Sequence, residues 1–315
     1  MNFPNINFVT SQGNIVRDCP GTRHHICCGY KTIDIIEGCI LSCSYCILHG
    51  YLNSSDIKIH RDVPYILSQI DDVITSEKKH ILRFGTGELS DSLALDRRYR
   101  LNRPLIEYFG NKKKALFEIK SKWADINHLM PYLNHYTVIS FSLAPQKIID
   151  AEEKRTSPLY KRLKALKKAQ DAGCFVGIHF DPIIMYDGFE KDYIYLIDDI
   201  SRLLDLKKVI WVSLGLLRFP PKLLNYYIDT ARKNLLQGEF IRGEDGKYRY
   251  IKNERIKVLR MFYSLLKKKE KNLFIYLCME RQDVWKEVTG MDVKNNEALV
   301  ELFDKRIKTL YGGSI

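Results

Sequence analysis

The strongest chemical signal in the sequence is the stretch Gly38-Cys39-Ile40-Leu41-Ser42-Cys43-Ser44-Tyr45-Cys46-Ile47-Leu48. Its thiols are spaced Cys-x3-Cys-x2-Cys, with an aromatic residue just before the last. Three thiolates on one short loop can hold three irons of a cubane cluster and leave the fourth iron without a protein ligand. At such an open iron S-adenosylmethionine can chelate through its amino and carboxylate groups. One electron from the cluster then cleaves the sulfonium to a 5′-deoxyadenosyl radical. Two other readings fit the same spacing. Cys39, Cys43, Cys46 and His49 can form a structural Cys3His zinc site, or the thiols can pack as small hydrophobes.

The elements around this loop read as a βα alternation. A strand-like run, Thr32 to Glu37, leads into it. Further strands are expected at His80–Phe84, Ala115–Lys120, Thr137–Ser142, Cys174–Phe180 and Val209–Leu214. Helical spacing falls at Val63–Ser76, Ile126–Tyr132, Pro158–Ala172 and Asp187–Leu204. The sum is an α/β fold, a partial (β/α)6 barrel with a C-terminal hairpin and helix extension. Chemistry in such barrels belongs at the C-terminal ends of the strands. Cys39, Glu88, Lys120, Ser142, Asp181 and Arg218 are expected there.

Three segments follow: a Cys-rich lead-in over 1–31, the barrel over 32–220 and the extension over 221–315. The lead-in, with Cys19, Cys27 and Cys28, should be loop, because Pro and Gly punctuate it. In the extension, Ile241–Tyr250 reads as a hairpin turning at Glu244-Asp245-Gly246. Helices are expected at Asn253–Lys269 and Asn295–Leu310, with a strand at Leu273–Cys278 between them. That strand, and Cys278 with it, should lie outside the barrel.

Composition narrows the setting. The chain has 315 residues, 45% hydrophobic, with a formal net charge of +12. Such an excess of cations favours a polyanionic partner such as DNA or another nucleic acid, or is simply a solvated lysine-rich surface. No apolar run approaches the roughly 18 residues needed to span a bilayer, so no membrane association is expected. The opening Met1-Asn2-Phe3-Pro4 lacks the pattern of a secretory signal. Eight clustered cysteines without such a signal point to thiol or metal chemistry in a reducing cytoplasm.

Taken in order, these residues are similar to the spore photoproduct lyase family of radical S-adenosylmethionine enzymes. The similarity rests on Gly38-Cys39-x3-Cys43-x-Tyr45-Cys46, Arg83-Phe84, Ser90-Asp91, Lys120 and Phe141-Ser142. Asp181-Pro182-Ile183, Gly188-Phe189-Glu190, Arg218-Phe219 and Gly246-Lys247-Tyr248-x-Tyr250 extend it. It runs from about Thr32 to Cys278, leaving the first 31 and last 37 residues unplaced. The resemblance implies a [4Fe-4S] cluster on Cys39, Cys43 and Cys46, with S-adenosylmethionine held by Ser90, Lys120 and Ser142. It also implies an electron donor such as flavodoxin or ferredoxin. Gly85-Thr86-Gly87-Glu88 resembles the wider superfamily's Gly-Gly-Glu motif, which meets the cofactor's amino group.

The family reverses a thymine dimer in DNA, and a protein cysteine returns a hydrogen atom. Here that cysteine's position is Glu88, which cannot donate one. A tyrosine that takes part in radical transfer is Ile47 here, while the preceding Tyr45 is retained. Lys247, Tyr248, Arg249 and Tyr250 match a hairpin segment that enters the DNA groove, and interleaved basic and aromatic residues suit phosphate contact with base stacking. The expected function is therefore radical S-adenosylmethionine chemistry, directed to pyrimidine photoproduct repair or a related nucleic-acid reaction. A tailoring or biosynthetic enzyme with a non-DNA substrate is the alternative, and a non-catalytic zinc protein that binds nucleic acid is a third reading.

Overall fold

The computed structural model describes residues 4–10, 13–52, 56–230, 232–312 and 315. The opening Met1–Phe3, where the absence of a signal was read, lies outside them. Seven parallel strands form the main sheet: β1 (Lys31–Ile33), β2 (Leu82–Gly85), β3 (Ala115–Ser121), β4 (Thr137–Ser142), β5 (Phe175–Ile183), β6 (Val209–Leu216) and β7 (Ile275–Leu277). Each strand lies beside its predecessor, and Val16–Asp18 runs antiparallel to β1 at the edge. Sequential order in a parallel sheet is what repeated βα crossovers produce, and the twist curls the sheet into a half-barrel.

The strands are apolar because both faces are covered. All eight residues of β6 and all six of β4 are buried. The helix Val63–Ser76 shows the complementary pattern. Ile66, Ile70 and Ile74 recur every fourth position and are its buried residues, while Asp62 caps the Tyr65 amide at 3.1 Å.

Inside the barrel the core is polar. The Glu118 carboxylate on β3 accepts from Ser140 on β4, from His179 Nε2 on β5 at 2.8 Å and from Trp211 Nε1 on β6 at 2.9 Å. One side chain thus ties four consecutive strands. Gly177 makes room for it, since a Cβ there would come within 2.6 Å of the Trp211 nitrogen. Burial alone would raise the Glu118 pKa, but His179, Lys120 and the Ser140 hydroxyl outweigh it and bring it down to about 2.

Several expectations are corrected. The lead-in is partly strand: Ile6–Val9 pairs in parallel with Ile57–His60, and Val16–Asp18 joins the barrel edge. The run Thr32–Glu37 breaks at Asp34, whose buried carboxylate is drawn to Arg17 Nε at 2.6 Å. Ile36–Glu37 then pairs with Ile57–His60 instead of extending the barrel. Residues 126–132 form i+3 turns, not a helix, in a run where Pro131 has no amide to donate.

The strand expected outside the barrel is its seventh, β7, paired in parallel with β6. The unplaced C-terminus is a helix, Asn296–Tyr311, that crosses the starts of the strands. Its Asp304 accepts from the Ile81 amide before β2 at 3.0 Å, and Arg306 donates to the Val209 carbonyl of β6 at 2.7 Å. Phe303 packs against Trp211 at 5.8 Å, and the Arg83 guanidinium lies 3.5 Å above its ring. The helix therefore closes the end of the half-barrel opposite the thiol loop.

Candidate active site

The thiol loop leaves β1 through Gly38, whose φ of +96° and close approach to the Asp56 carbonyl disfavour any side chain. The Gly38 amide donates to Leu89 O at 2.9 Å, which binds the loop to the turn after β2. Cys43 is buried, and Cys39 and Cys46 are partly so. The Leu41 amide points at Cys39 Sγ, 3.4 Å away.

Burial raises all three thiols. Cys39 reaches about 12 with Asp91 adding to the effect, and Cys43 lies well above its usual value despite Lys122. Cys46 is raised as well, against the pull of the Leu48 amide and Lys122. Metal binding would have to displace their protons. The donor set suits iron: soft thiolates on one loop, with amide and lysine donors nearby to support negative sulfur. His49 does not join them. Its Nε2 donates to the Cys43 carbonyl at 3.1 Å, and its ring rests 5.7 Å from that of Tyr226. Among the described residues no three Cys, His, Asp or Glu side chains converge on one point, as a mononuclear zinc site requires.

Around the loop the strand ends bring together most of the expected residues. Burial would lower Lys120, but Glu88, Glu118, Asp181 and Cys19 raise it, so it stays charged. Glu88 lies on the turn after β2, between Gly87, which packs against Lys120, and Leu89, whose carbonyl binds the thiol loop, and its charge raises Cys19 and Cys46. Ser90 is buried beside Asp91. Asp91 accepts from the Ser121 hydroxyl at 2.7 Å and the Lys122 amide at 2.6 Å, fixing the Ser90 turn to the end of β3. Ser142 ends β4, its carbonyl held by Arg162 Nη1 at 2.8 Å. Asp181 receives both Arg218 nitrogens at 3.2 Å, and this pairing outweighs burial to lower its pKa.

Two placements differ from expectation. Cys278 lies at this mouth and not outside the barrel, because β7 delivers it next to β6. Cys19, Cys27, Cys28 and Cys278 share the lining of a cavity of about 300 Å³ with Tyr30 and Tyr276. The hairpin also differs. Phe240–Arg242 and Tyr248–Tyr250 pair as expected, but Arg218–Phe219 adds a third strand that covers it. Tyr250 is wholly buried against Phe240, ring centroids 4.3 Å apart, and Arg249 is buried on Asp245. Neither ring nor guanidinium faces solvent. Lys247 and Tyr248 stay partly exposed.

Sequence reasoning missed Asp91 as a hub, the Glu118 network and the pair Glu152-Glu153. Tyr45 gives its hydroxyl to Glu153, and Ser44 gives its own to Glu152. The charged run around Glu152-Glu153 carries no sequence signal of burial.

A curled half-barrel of parallel strands, with three thiols on the loop after its first strand, defines the radical S-adenosylmethionine fold. A solved double mutant of spore photoproduct lyase, with bound AdoMet and dinucleoside spore photoproduct, matches with a TM-score of 0.76 at 21% identity, covering 86% of this chain and 82% of that one. SuiB of Streptococcus suis bound to S-adenosylmethionine matches with a TM-score of 0.52 at 14% identity, over 82% of this chain and 52% of that one. The family model described as spore photoproduct lyase matches residues 27–223, and the chain belongs to that family. The spore photoproduct lyase of Clostridium acetobutylicum is 29% identical over 179 residues, 56% of this chain and 53% of that protein. That of Bacillus subtilis is 29% identical over 174 residues, 55% of this chain and 51% of that protein. The chain thus spans about half the length of the curated relatives it matches. No helix among the described residues is long and apolar enough to cross a membrane.

Proposed function

We propose that this chain is a radical S-adenosylmethionine lyase acting on a pyrimidine photoproduct in DNA. The observation that carries the proposal is the meeting of the Cys39, Cys43 and Cys46 loop with the ends of β2 and β3 at one mouth of the half-barrel, where the Gly38 amide bonds Leu89 and Gly87 packs against Lys120. When bound there, a [4Fe-4S] cluster and S-adenosylmethionine supply a hydrogen-abstracting 5′-deoxyadenosyl radical after one-electron reduction. The chain's own residues bind and orient. Lys120, kept charged, would hold the cofactor's carboxylate and Glu88 its amino group, with Ser90 and Ser142 as further holding residues. A flavodoxin or ferredoxin delivers the electron, and a reducing cytoplasm keeps the eight free cysteines reduced.

The hydrogen returned to the product comes from Cys19. Burial, then Glu88, raises this thiol to about 12, so it carries its hydrogen at neutral pH. It lines one cavity with Cys278, which stands at the strand-end mouth next to Arg218. DNA contact rests on Lys247 and Tyr248, the hairpin residues that keep access to solvent.

Anaerobic reconstitution with iron and sulfide, followed by dithionite, S-adenosylmethionine and a dinucleoside thymine photoproduct, tests the reading. The expected result is a brown protein, photoproduct reversal, and loss of both cluster and cofactor cleavage in Cys39→Ala, Cys43→Ala and Cys46→Ala. Cys174→Ala should keep its iron, since Cys174 sits at the start of β5 with its thiol on the Asn134 carbonyl. Cofactor cleavage without turnover of any photoproduct would favour the tailoring-enzyme alternative, which the burial of Arg249 and Tyr250 supports. A colourless protein that retains zinc would overturn both.

A further inference from the structure

Besides burying Leu41, Cys43 and Tyr45 in the core, the thiol loop is gripped by a buried polar chain that ends at the fourth barrel strand. Ser42–Cys43 pairs antiparallel with Glu153–Lys154, Cys43 opposite Glu153. The Ser44 amide donates to Glu152 O at 2.8 Å, and its hydroxyl to the Glu152 carboxylate. The Tyr45 hydroxyl donates to one oxygen of Glu153, and Arg162 Nη2 to the other. The remaining Arg162 nitrogens reach the Ser142 carbonyl and the Ser157 carbonyl, each at 2.8 Å. Arg162 is fully buried, and the Glu153 side chain is 1% exposed.

From this geometry we propose that Glu153 and Arg162 are positioning residues, which hold the thiol loop in register with the end of β4 through Tyr45 on one side and Ser142 on the other. The proposal rests on reading Cys39, Cys43 and Cys46 as the cluster loop and Ser142 as part of the cofactor site. Stability alone gives little reason for the arrangement, because well-packed apolar residues hold a core at least as well as a buried ion pair. A carboxylate between a hydroxyl and a guanidinium instead sets direction and distance at both ends. The two ends are the loop that would carry the cluster and the strand end that would carry the cofactor, and their separation decides whether the open iron and the cofactor's chelating groups meet. Tyr45 acts in this chain as a tether, its hydroxyl committed to Glu153.

Two variants separate the two halves of the chain. Tyr45→Phe removes only the loop-side hydroxyl and leaves the Glu153–Arg162 pair intact. Arg162→Lys keeps the charge but cannot reach Glu153 and Ser142 together. In the cluster-free protein, hydrogen–deuterium exchange should rise in both 42–46 and 140–145 for each variant. In the reconstituted protein, the reduced-cluster EPR signal without cofactor should match wild type, while the cofactor concentration needed to shift it rises roughly tenfold. With cofactor at saturation, kcat should be retained. Faster exchange confined to the mutated segment, or an unchanged cofactor titration, overturns the clamp. Loss of kcat at saturating cofactor in Tyr45→Phe makes Tyr45 a reacting residue and also overturns it. A wild-type EPR signal insensitive to cofactor instead refutes the underlying cofactor site, and the exchange experiment still decides the coupling.

Discussion

Arg218 Nη2 lies 3.6 Å from Cys278 Sγ, joining the end of the sixth barrel strand to the end of the seventh. The same guanidinium holds Asp181 from the fifth, so three strand ends meet at one cation. Burial raises Cys278 well above its usual value, and Asp181 adds to this against Arg218, leaving a neutral thiol beside an ion pair. Arg218→Gln should therefore leave a half-buried carboxylate without its partner and cost about 1–3 kcal/mol in urea unfolding. The double variant Arg218→Gln/Asp181→Asn should recover most of that loss. Additive losses would show that the two residues are not an energetic unit.

Cys19→Ala should keep cluster content and 5′-deoxyadenosine formation but lose closed-shell product, with adducts accumulating in its place. Cys27→Ala should turn over normally. Glu88→Cys on the Cys19→Ala background should restore product only at a raised cofactor concentration, because a thiol then stands at the position the family uses while the Glu88 contact to the cofactor's amino group is lost. Product mass spectrometry after anaerobic turnover reads all three. Normal product from Cys19→Ala removes it as the donor.

DNA binding should respond differently to two neighbouring cations. Lys247→Glu should weaken binding and lower the slope of log K against log salt by about 0.9, one phosphate contact. Arg249→Ala should leave that slope unchanged and lower stability instead, because Arg249 is buried on Asp245. Fluorescence anisotropy over a salt series, paired with thermal melts, distinguishes them. A reduced slope in Arg249→Ala would return that residue to the interface.

The Glu118 network carries a pH signature. Its folded pKa is lowered from 4.5 to about 2, so its stabilising contribution is present above the unfolded value and lost as pH falls through that window. Glu118→Gln should be less stable than wild type at neutral pH, and the gap should narrow as pH drops from 4.5 toward 2. Tm against pH measures it. Parallel curves would mean that Glu118 is not ionised in the folded barrel.

Much of the site was legible in local pattern. Three thiols in eight residues, Lys120 at the end of an apolar strand and Asp181-Pro182 after another are short-range signals. Apolar runs located six barrel strands, with both bounds of Thr137–Ser142 as expected and the others displaced by up to about four residues, because buried parallel strands are written as continuous apolar runs. The hairpin turn was equally clear at Glu244-Asp245-Gly246, where Gly246 adopts φ +77°.

What the tertiary structure decided was adjacency across long separations. Leu273–Cys278 was legible as a strand, but only pairing with β6 made it part of the barrel and carried Cys278 to the mouth. The exposed face expected for Arg249 and Tyr250 disappeared once Arg249 paired with Asp245 and Tyr250 packed on Phe240. Tyr45 was legible as an aromatic in the thiol loop, but only the fold brought its hydroxyl to a carboxylate 108 positions away. Periodicity reports which side of an element is apolar. A buried polar group is satisfied by whatever the fold brings within hydrogen-bond reach, and that distance in space is not encoded in spacing along the chain.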